Sequence, residues 1–121
     1  MSKTILIVDD SEMVRRIMSF TLKSAGYLVL VGEDGEDALK NFDGTRIDLV
    51  ITDLHMPNKD GMQLIQEIRG MNKYKFLPIV LFHSNIPAVV KDFMKPSGAT
   101  ILFNKDSIRE QLVSTVKKMI G

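Results

Sequence analysis

Cysteine is absent from this chain of 121 residues. Its absence excludes disulfides, thiolate nucleophiles and cysteine-ligated zinc sites, and it suits a reducing compartment. The chain also lacks an apolar run of membrane-spanning length, because the first run, residues 5–8, ends at Asp9 and Asp10. That run is far shorter than the roughly 20 residues of a spanning helix and ends too early for an export signal. We therefore expect a cytoplasmic protein without a membrane anchor.

Positive and negative side chains are nearly balanced, so the chain lacks a marked excess of either charge. Lysine and arginine number 16 against 15 acidic residues, which gives a formal net charge of +1. A nearly neutral chain produces no long-range field that would attract nucleic acid or an anionic membrane. The length and the 45% hydrophobic content fit one domain over residues 1–121, without linkers or repeats. The function is therefore expected in a local site.

Short apolar runs without strict alternation recur along the chain. Such runs indicate strands that are covered on both faces, as in a parallel sheet. They are residues 5–8, 28–31, 49–51, 79–82 and 101–103. Apolar residues at helical spacing lie between them, including the methionines Met13, Met18, Met62 and Met71, which we expect to fill the core. Regular alternation of strand and helix predicts an α/β fold: a doubly wound sheet of five parallel strands with helices on both faces.

Charged residues follow several of the predicted strands, including Glu33 and Asp34 after the second. Asp9 and Asp10 come after the first strand, Asp53 after the third, and Lys105 after the fifth. The carboxyl ends of parallel strands share one edge of the sheet, where the reactive sites of such folds lie. Three carboxylates repel one another there unless a hard cation such as Mg²⁺ neutralises them. A single aspartate in such a place would be interpreted as a helix cap, whereas the pair, the third acid and the lysine together predict a metal site.

A carboxylate beside a divalent cation can attack phosphorus and form an aspartyl phosphate. The cation and Lys105 would offset the charge that develops when two anionic groups meet. The residues therefore favour phosphoryl-transfer chemistry. A flavin carrier or a phosphatase on a similar sheet fits less well, because Asp9 and Asp10 would repel a bound phosphate and aspartate phosphatases usually place the nucleophile in that first loop.

Three segments resemble the receiver domains of two-component response regulators, in particular single-domain chemotaxis regulators. They are Ile5-Leu6-Ile7-Val8-Asp9-Asp10-Ser11, Asp53 with Met56-Pro57 and Gly61, and Lys105. The resemblance implies a flavodoxin-like (βα)5 fold with strand order 2-1-3-4-5. It also implies that Asp53 accepts a phosphoryl group while Asp10 and the backbone carbonyl of His55 bind Mg²⁺. Asp9 would act through metal-bound water, and Lys105 would bond a phosphoryl oxygen.

The second half of the chain departs from the family pattern. His83 stands where receivers usually have Thr or Ser, and Ser84 follows it. Leu102 replaces the usual Tyr or Phe, and Asp106 replaces a proline after the lysine. His83 could donate a hydrogen bond to phosphate, replace the hydroxyl of the switch, or only fill space, and a lone histidine is more often structural. Two prolines also bracket a short candidate for helix four, residues 88–95.

Two functions remain open at this point. In the first, the chain receives phosphate from a histidine kinase or phosphotransfer protein and then binds a downstream protein through the face of helix 4, strand 5 and helix 5. In the second, the altered residues His83, Leu102 and Asp106 weaken the switch, and the domain is a constitutive docking scaffold. In both, we expect a monomer or weak dimer that is not an enzyme beyond its own phosphorylation and dephosphorylation. No output domain is expected, because the chain stops after the last helix.

Overall fold

Strands and helices alternate in the computed structural model, which describes residues 2–83, 101–104 and 108–121. The first half contains β1 (Thr4–Val8), α1 (Glu12–Ser24), β2 (Leu28–Gly32), α2 (Gly35–Leu39) and β3 (Leu49–Asp53). The second contains α3 (Gly61–Arg69), a 3₁₀ turn (Asn72–Tyr74), β4 (Ile79–His83), β5 (Ile101–Asn104) and a C-terminal helix (Ile108–Ile120). The helix-four candidate, residues 88–95, lies outside the described residues. Within the described part, no helix is both long and apolar enough to cross a bilayer.

The strands form one parallel sheet in the order β2-β1-β3-β4-β5. This confirms the parallel, doubly wound α/β architecture that the apolar runs predicted. Four strands extend past the ends of their apolar runs, and in three of them the last residue is a polar one that was expected to follow the strand: Asp53, His83 and Asn104. The reason is that ladder pairing continues through polar residues, with Asp53 opposite Phe82 and His83 opposite Asn104.

The core lies on both faces of the sheet. Along β1, Leu6 and Val8 point to the cluster that includes the buried residues of α3, whereas Ile5 and Ile7 point to the cluster that includes Met18 of α1. These four side chains of β1 are fully buried. Successive side chains of a strand alternate between faces, and both faces here are covered by helices, which explains why the strand is apolar without interruption.

The side chains of α1 divide between the core and solvent. Met18 and Leu22 are buried at helical spacing. The expectation that Met13 fills the core is wrong, because Met13 is 71% exposed and lies one helical turn from the exposed Ile17. A helix against one face of a sheet buries a single stripe, and Met13 lies away from that stripe. Met62 and Met71 are partly buried against the core, as expected.

Helix N-termini meet the carboxyl edge of the sheet and are capped by side chains. The Ser11 hydroxyl accepts a hydrogen bond from the N–H of Val14 at 3.3 Å. Asp34 caps α2 through the N–H of Asp37 at 2.8 Å. Asp60 and Gln63 form a reciprocal capping box at the start of α3. The capping interpretation therefore accounts for some of the acids at this edge, namely Asp34 and Asp60.

Candidate metal centre

Asp9, Asp10 and Asp53 converge at the carboxyl edge of the sheet, as the sequence predicted. One carboxylate oxygen from each lies within 4.8 Å of the other two. The register of the sheet causes this approach, because Val8 pairs with Thr52 and the next residues in the chain are Asp9, directly after β1, and Asp53, the last residue of β3. Asp9 and Asp53 are buried, while Asp10 is exposed. The cluster therefore opens to solvent on the side of Asp10.

Backbone groups orient the two buried carboxylates. Asp9 Oδ1 accepts the N–H of Ser11 at 2.8 Å, and Asp53 Oδ1 accepts the N–H of Leu54 at 2.8 Å. The Arg15 guanidinium donates to the backbone carbonyl of Asp9 at 2.7 Å. These bonds place the side chains relative to strands β1 and β3, so that the carboxylates are held before any ligand arrives.

The donor set fits a hard divalent cation. All three candidate ligands are carboxylates, and oxygen-only sites suit Mg²⁺ or Ca²⁺ over softer metals. Oxygens around an octahedral Mg²⁺ lie about 3.0 to 4.2 Å apart, given Mg–O distances of about 2.1 Å. The spread of the three oxygens, up to 4.8 Å, matches such a shell if one carboxylate acts through a bound water. The residues at this edge are thus suited to Mg²⁺.

The β3–α3 loop, residues 54–60, borders the cluster. It carries His55, whose side chain is exposed. The loop closes on itself where the N–H of Gly61 donates to the carbonyl of Leu54 at 2.9 Å. Gly61 is required there, because a Cβ atom would lie 2.3 Å from the carbonyl oxygen of Asp53. The glycine of the predicted motif therefore allows α3 to begin directly against the end of β3.

The sequence did not reveal a role for Asn58, whose side chain binds the β3–α3 loop to the start of α2. Asn58 has a φ of 66°, and its amide donates to Asp34 Oδ2 at 2.8 Å. The N–H of Asp37 and the amide of Asn58 hold the pKa of Asp34 below its ordinary value. Asparagine directly after Pro57 was a signal for a turn with a left-handed residue. Its partner, 24 positions earlier, could not be found from local sequence.

The structure describes only some of the remaining predicted site residues. His83 ends β4, next to the strand that ends at Asp53, and pairs with Asn104 of β5. Leu102 lies on β5 opposite Leu81. Lys105 follows β5 in the chain, and it lies outside the described residues, as do Ser84 and Asp106. The helix-four part of the predicted partner face, residues 88–95, lies outside them as well.

Comparison with known proteins agrees with this fold and site. The family model of the response regulator receiver domain matches residues 5–117. The chain is 30% identical over 115 residues to the CAI-1 autoinducer sensor kinase/phosphatase CqsS of Vibrio cholerae. That match covers 94% of this chain but 17% of CqsS, so the chain spans only a small part of that relative.

Solved structures match over nearly their whole length. The chemotaxis protein CheY4 of Vibrio cholerae has a TM-score of 0.93 at 33% identity, with 98% of this chain and 99% of CheY4 covered. The response regulator TrrA of Thermotoga maritima, solved in complex with Mg²⁺-BeF, has a TM-score of 0.84 at 32% identity, with 97% and 98% covered. With the matched family model and the aspartates at the carboxyl edge, the chain belongs to the response regulator receiver domains of two-component signalling.

Proposed function

We propose that this protein is a phospho-acceptor switch of a two-component system, phosphorylated on Asp53 in a Mg²⁺-dependent reaction. The observation that carries the proposal is the convergence of Asp9, Asp10 and Asp53 at the carboxyl edge of a receiver-domain sheet. Residues 1–121 would form a single receiver domain that acts by binding other proteins. Its only catalysis would be its own phosphorylation and dephosphorylation.

In this proposal Asp10, Asp53 and the backbone carbonyl of His55 would hold Mg²⁺, and Asp9 would act through water. The bound ion supplies positive charge against the anionic phosphoryl group. A carboxylate oxygen of Asp53 forms a bond to phosphorus as the bond from phosphorus to the donor's imidazole nitrogen breaks, and the imidazole leaves with the electron pair. The N–H of Leu54, 2.8 Å from Asp53 Oδ1, holds the carboxylate in place for this attack.

Lys105 would bind a phosphoryl oxygen in the product. Its position in the chain supports this role, since it follows Asn104, the last residue of β5 at the same edge of the sheet. His83 at the end of β4 would stand in for the usual hydroxyl, with Ser84 beside it. A ring N–H can donate to a phosphoryl oxygen, but an imidazole is bulkier than a threonine and cannot make the same inward step.

The donor would be a histidine kinase or a phosphotransfer protein. Exposed apolar residues on α1 support docking of such a protein beside the cluster. Met13 and Phe20 are 71% and 74% exposed, and Ile17 lies between them on the same helix face. The helix begins at Glu12, directly after the Ser11 that binds Asp9. A donor that brings its histidine to Asp53 would therefore approach next to this face.

The downstream partner would bind the face formed by helix four, strand five and the last helix, and the protein would act in the cytoplasm as a monomer or weak dimer. A second candidate function uses the same fold without the switch. The replacement of the usual hydroxyl and aromatic residues by His83 and Leu102 favours a constitutive docking scaffold. Partner affinity with and without beryllofluoride separates the two, because a scaffold would bind equally in both conditions.

Mass spectrometry of the full chain after incubation with Mg²⁺ and acetyl phosphate tests the main proposal. We expect the mass gain of one phosphoryl group, its loss in a chelator control, and no gain in Asp53→Asn. The variant should fold normally, because the amide oxygen of asparagine can still accept the N–H of Leu54. Stoichiometric phosphate on Asp53→Asn would disprove the assignment.

A further inference from the structure

The β3–α3 loop adopts an unfavourable backbone conformation at Asn58. The N–H of Lys59 donates to the carbonyl of Pro57 at 2.7 Å, which closes a three-residue turn around Asn58 at a φ of 66°. Turns of this kind with a positive central φ are rare and strained. Asparagine tolerates the left-handed region better than other non-glycine residues do. Something outside the loop must favour this conformation for it to persist.

Contacts from the start of α2 hold the loop in this conformation. The amide of Asn58 donates to Asp34 Oδ2 at 2.8 Å. The N–H of Gly35 donates to the carbonyl of Lys59 at 3.2 Å, and a Cβ atom on Gly35 would lie 2.6 Å from that carbonyl oxygen. Two consecutive loop residues are thus bound to the N-cap and to the first residue of α2. Asp34 is buried and also caps α2, so its carboxylate is held in place when it binds the loop.

We propose that Asn58 and Asp34 are positioning residues for the metal site. Their hydrogen bond holds the β3–α3 loop in the conformation in which the His55 carbonyl can join the carboxylates around the cation. The inference rests on the proposed function, since Mg²⁺ is the ion concerned. Asn58 carries no charge and is not assigned as a ligand, so its effect on affinity would come from the loop conformation alone. Apparent affinity falls in proportion to the fraction of the protein in the binding-competent conformation.

Two substitutions at Asn58 distinguish the effect of its side-chain amide from the effect of its tolerance for a positive φ. Asn58→Gly removes the amide but keeps the positive φ accessible, whereas Asn58→Ala removes the amide and disfavours that φ. Asp34→Asn is the conservative variant, because asparagine still caps α2 and its amide can pair with Asn58 after a flip of the amide groups. Glu67→Gln is the matched control, because Glu67 binds Lys59 of the same loop at 2.5 Å from the side of α3.

The experiment measures the Kd for Mg²⁺ of each full-length variant by titration of amide chemical shifts, without a phosphodonor. Urea unfolding in chelator reports the stability of the metal-free fold. Removal of groups that orient metal ligands typically costs 10- to 100-fold in affinity. We expect Mg²⁺ affinity to fall about tenfold in Asn58→Gly and at least as much in Asn58→Ala. The expected loss is at the lower end of the range because the contact between Gly35 and Lys59 remains.

We also expect the Kd for Mg²⁺ of Asp34→Asn and of Glu67→Gln to lie within about twofold of the parent value. Asn58→Gly should lose Mg²⁺ affinity without a matching loss of stability in chelator. A Kd for Asn58→Gly and Asn58→Ala equal to that of the parent would overturn the positioning role while leaving the proposed function intact. Equal weakening by Glu67→Gln would also overturn it, because any loop tether would then suffice. A parent protein that does not bind Mg²⁺ at millimolar concentrations would instead overturn the proposed function together with this role.

Discussion

Substitution of Gly61 by alanine tests whether the junction between β3 and α3 is as tight as the structure shows. A Cβ atom at Gly61 would lie 2.3 Å from the carbonyl oxygen of Asp53 and 3.1 Å from Leu54 Cα. Real Cβ atoms essentially never come closer than 3.0 Å, so the backbone would have to shift by about 0.7 Å. Both contacts are to backbone atoms, and a side-chain rotation cannot relieve them.

The magnitude follows from two opposing effects. Overpacking that forces backbone shifts costs about 1 to 3 kcal/mol. Alanine gains up to about 1 kcal/mol over glycine inside a helix, and less at the first residue of α3, where Gly61 lies. The clash therefore exceeds the gain, and we expect Gly61→Ala to lower the free energy of unfolding by about 1 to 2 kcal/mol. Because Asp53 moves with the shift, its phosphorylation rate should fall by up to about 100-fold.

Gly70→Ala at the other end of α3 is the matched control. A Cβ atom there would lie 3.5 Å from its nearest neighbour, and the φ of −78° suits any residue. We expect this variant to be more stable than the parent by about 0.4 to 1 kcal/mol, since alanine restricts the unfolded chain. Urea unfolding followed by circular dichroism in chelator measures both. Equal stability of Gly61→Ala and Gly70→Ala would refute the reasoning.

Three further predictions concern the switch. Lys105→Ala should weaken binding of beryllofluoride severalfold while urea unfolding in chelator stays unchanged, because the ammonium offsets charge that is present only in the phosphorylated state. Phe20→Ala, which removes a side chain 74% exposed on α1, should slow phosphorylation by a protein donor but leave that by acetyl phosphate unchanged in the same assay. Beryllofluoride should cause only small amide shift changes over residues 89–103, because His83 and Leu102 replace the usual switch pair; large concerted changes would contradict this.

The sheet could be predicted because its strands are covered on both faces. Apolar residues such as Ile5 and Leu6 point to opposite faces and are both fully buried, which leaves an uninterrupted apolar run in the sequence. The predicted ends of the strands were less accurate. Strand pairing continues through Asp53 and His83, whose polar side chains gave no indication that the strands extend so far. Met13 was misplaced because helical spacing alone does not show which face of a helix meets the sheet.

The carboxylates of the site could be predicted for a topological reason. In a parallel sheet the ends of neighbouring strands coincide, so Asp9 and Asp53 meet although more than forty positions separate them. The bond between Asn58 and Asp34 has no such basis, because it depends on how two loops pack against each other. Parallel topology thus reveals which carboxylates are brought together, while contacts between loops become visible only in three dimensions.

Acids at the carboxyl edge divide into two groups by what compensates their charge. Asp34 and Asp60 cap helices, and the N–H groups at a helix start favour a negative charge. Asp9 and Asp53 instead accept hydrogen bonds from the N–H groups of Ser11 and Leu54, while a third carboxylate, that of Asp10, lies within 4.8 Å. Helix capping alone would not bring three carboxylates together, because mutual repulsion makes the arrangement unfavourable without a cation. The capping acids therefore stabilise their helices, and Asp34 also binds the β3–α3 loop through Asn58, whereas the cluster of three carboxylates is suited to a divalent cation.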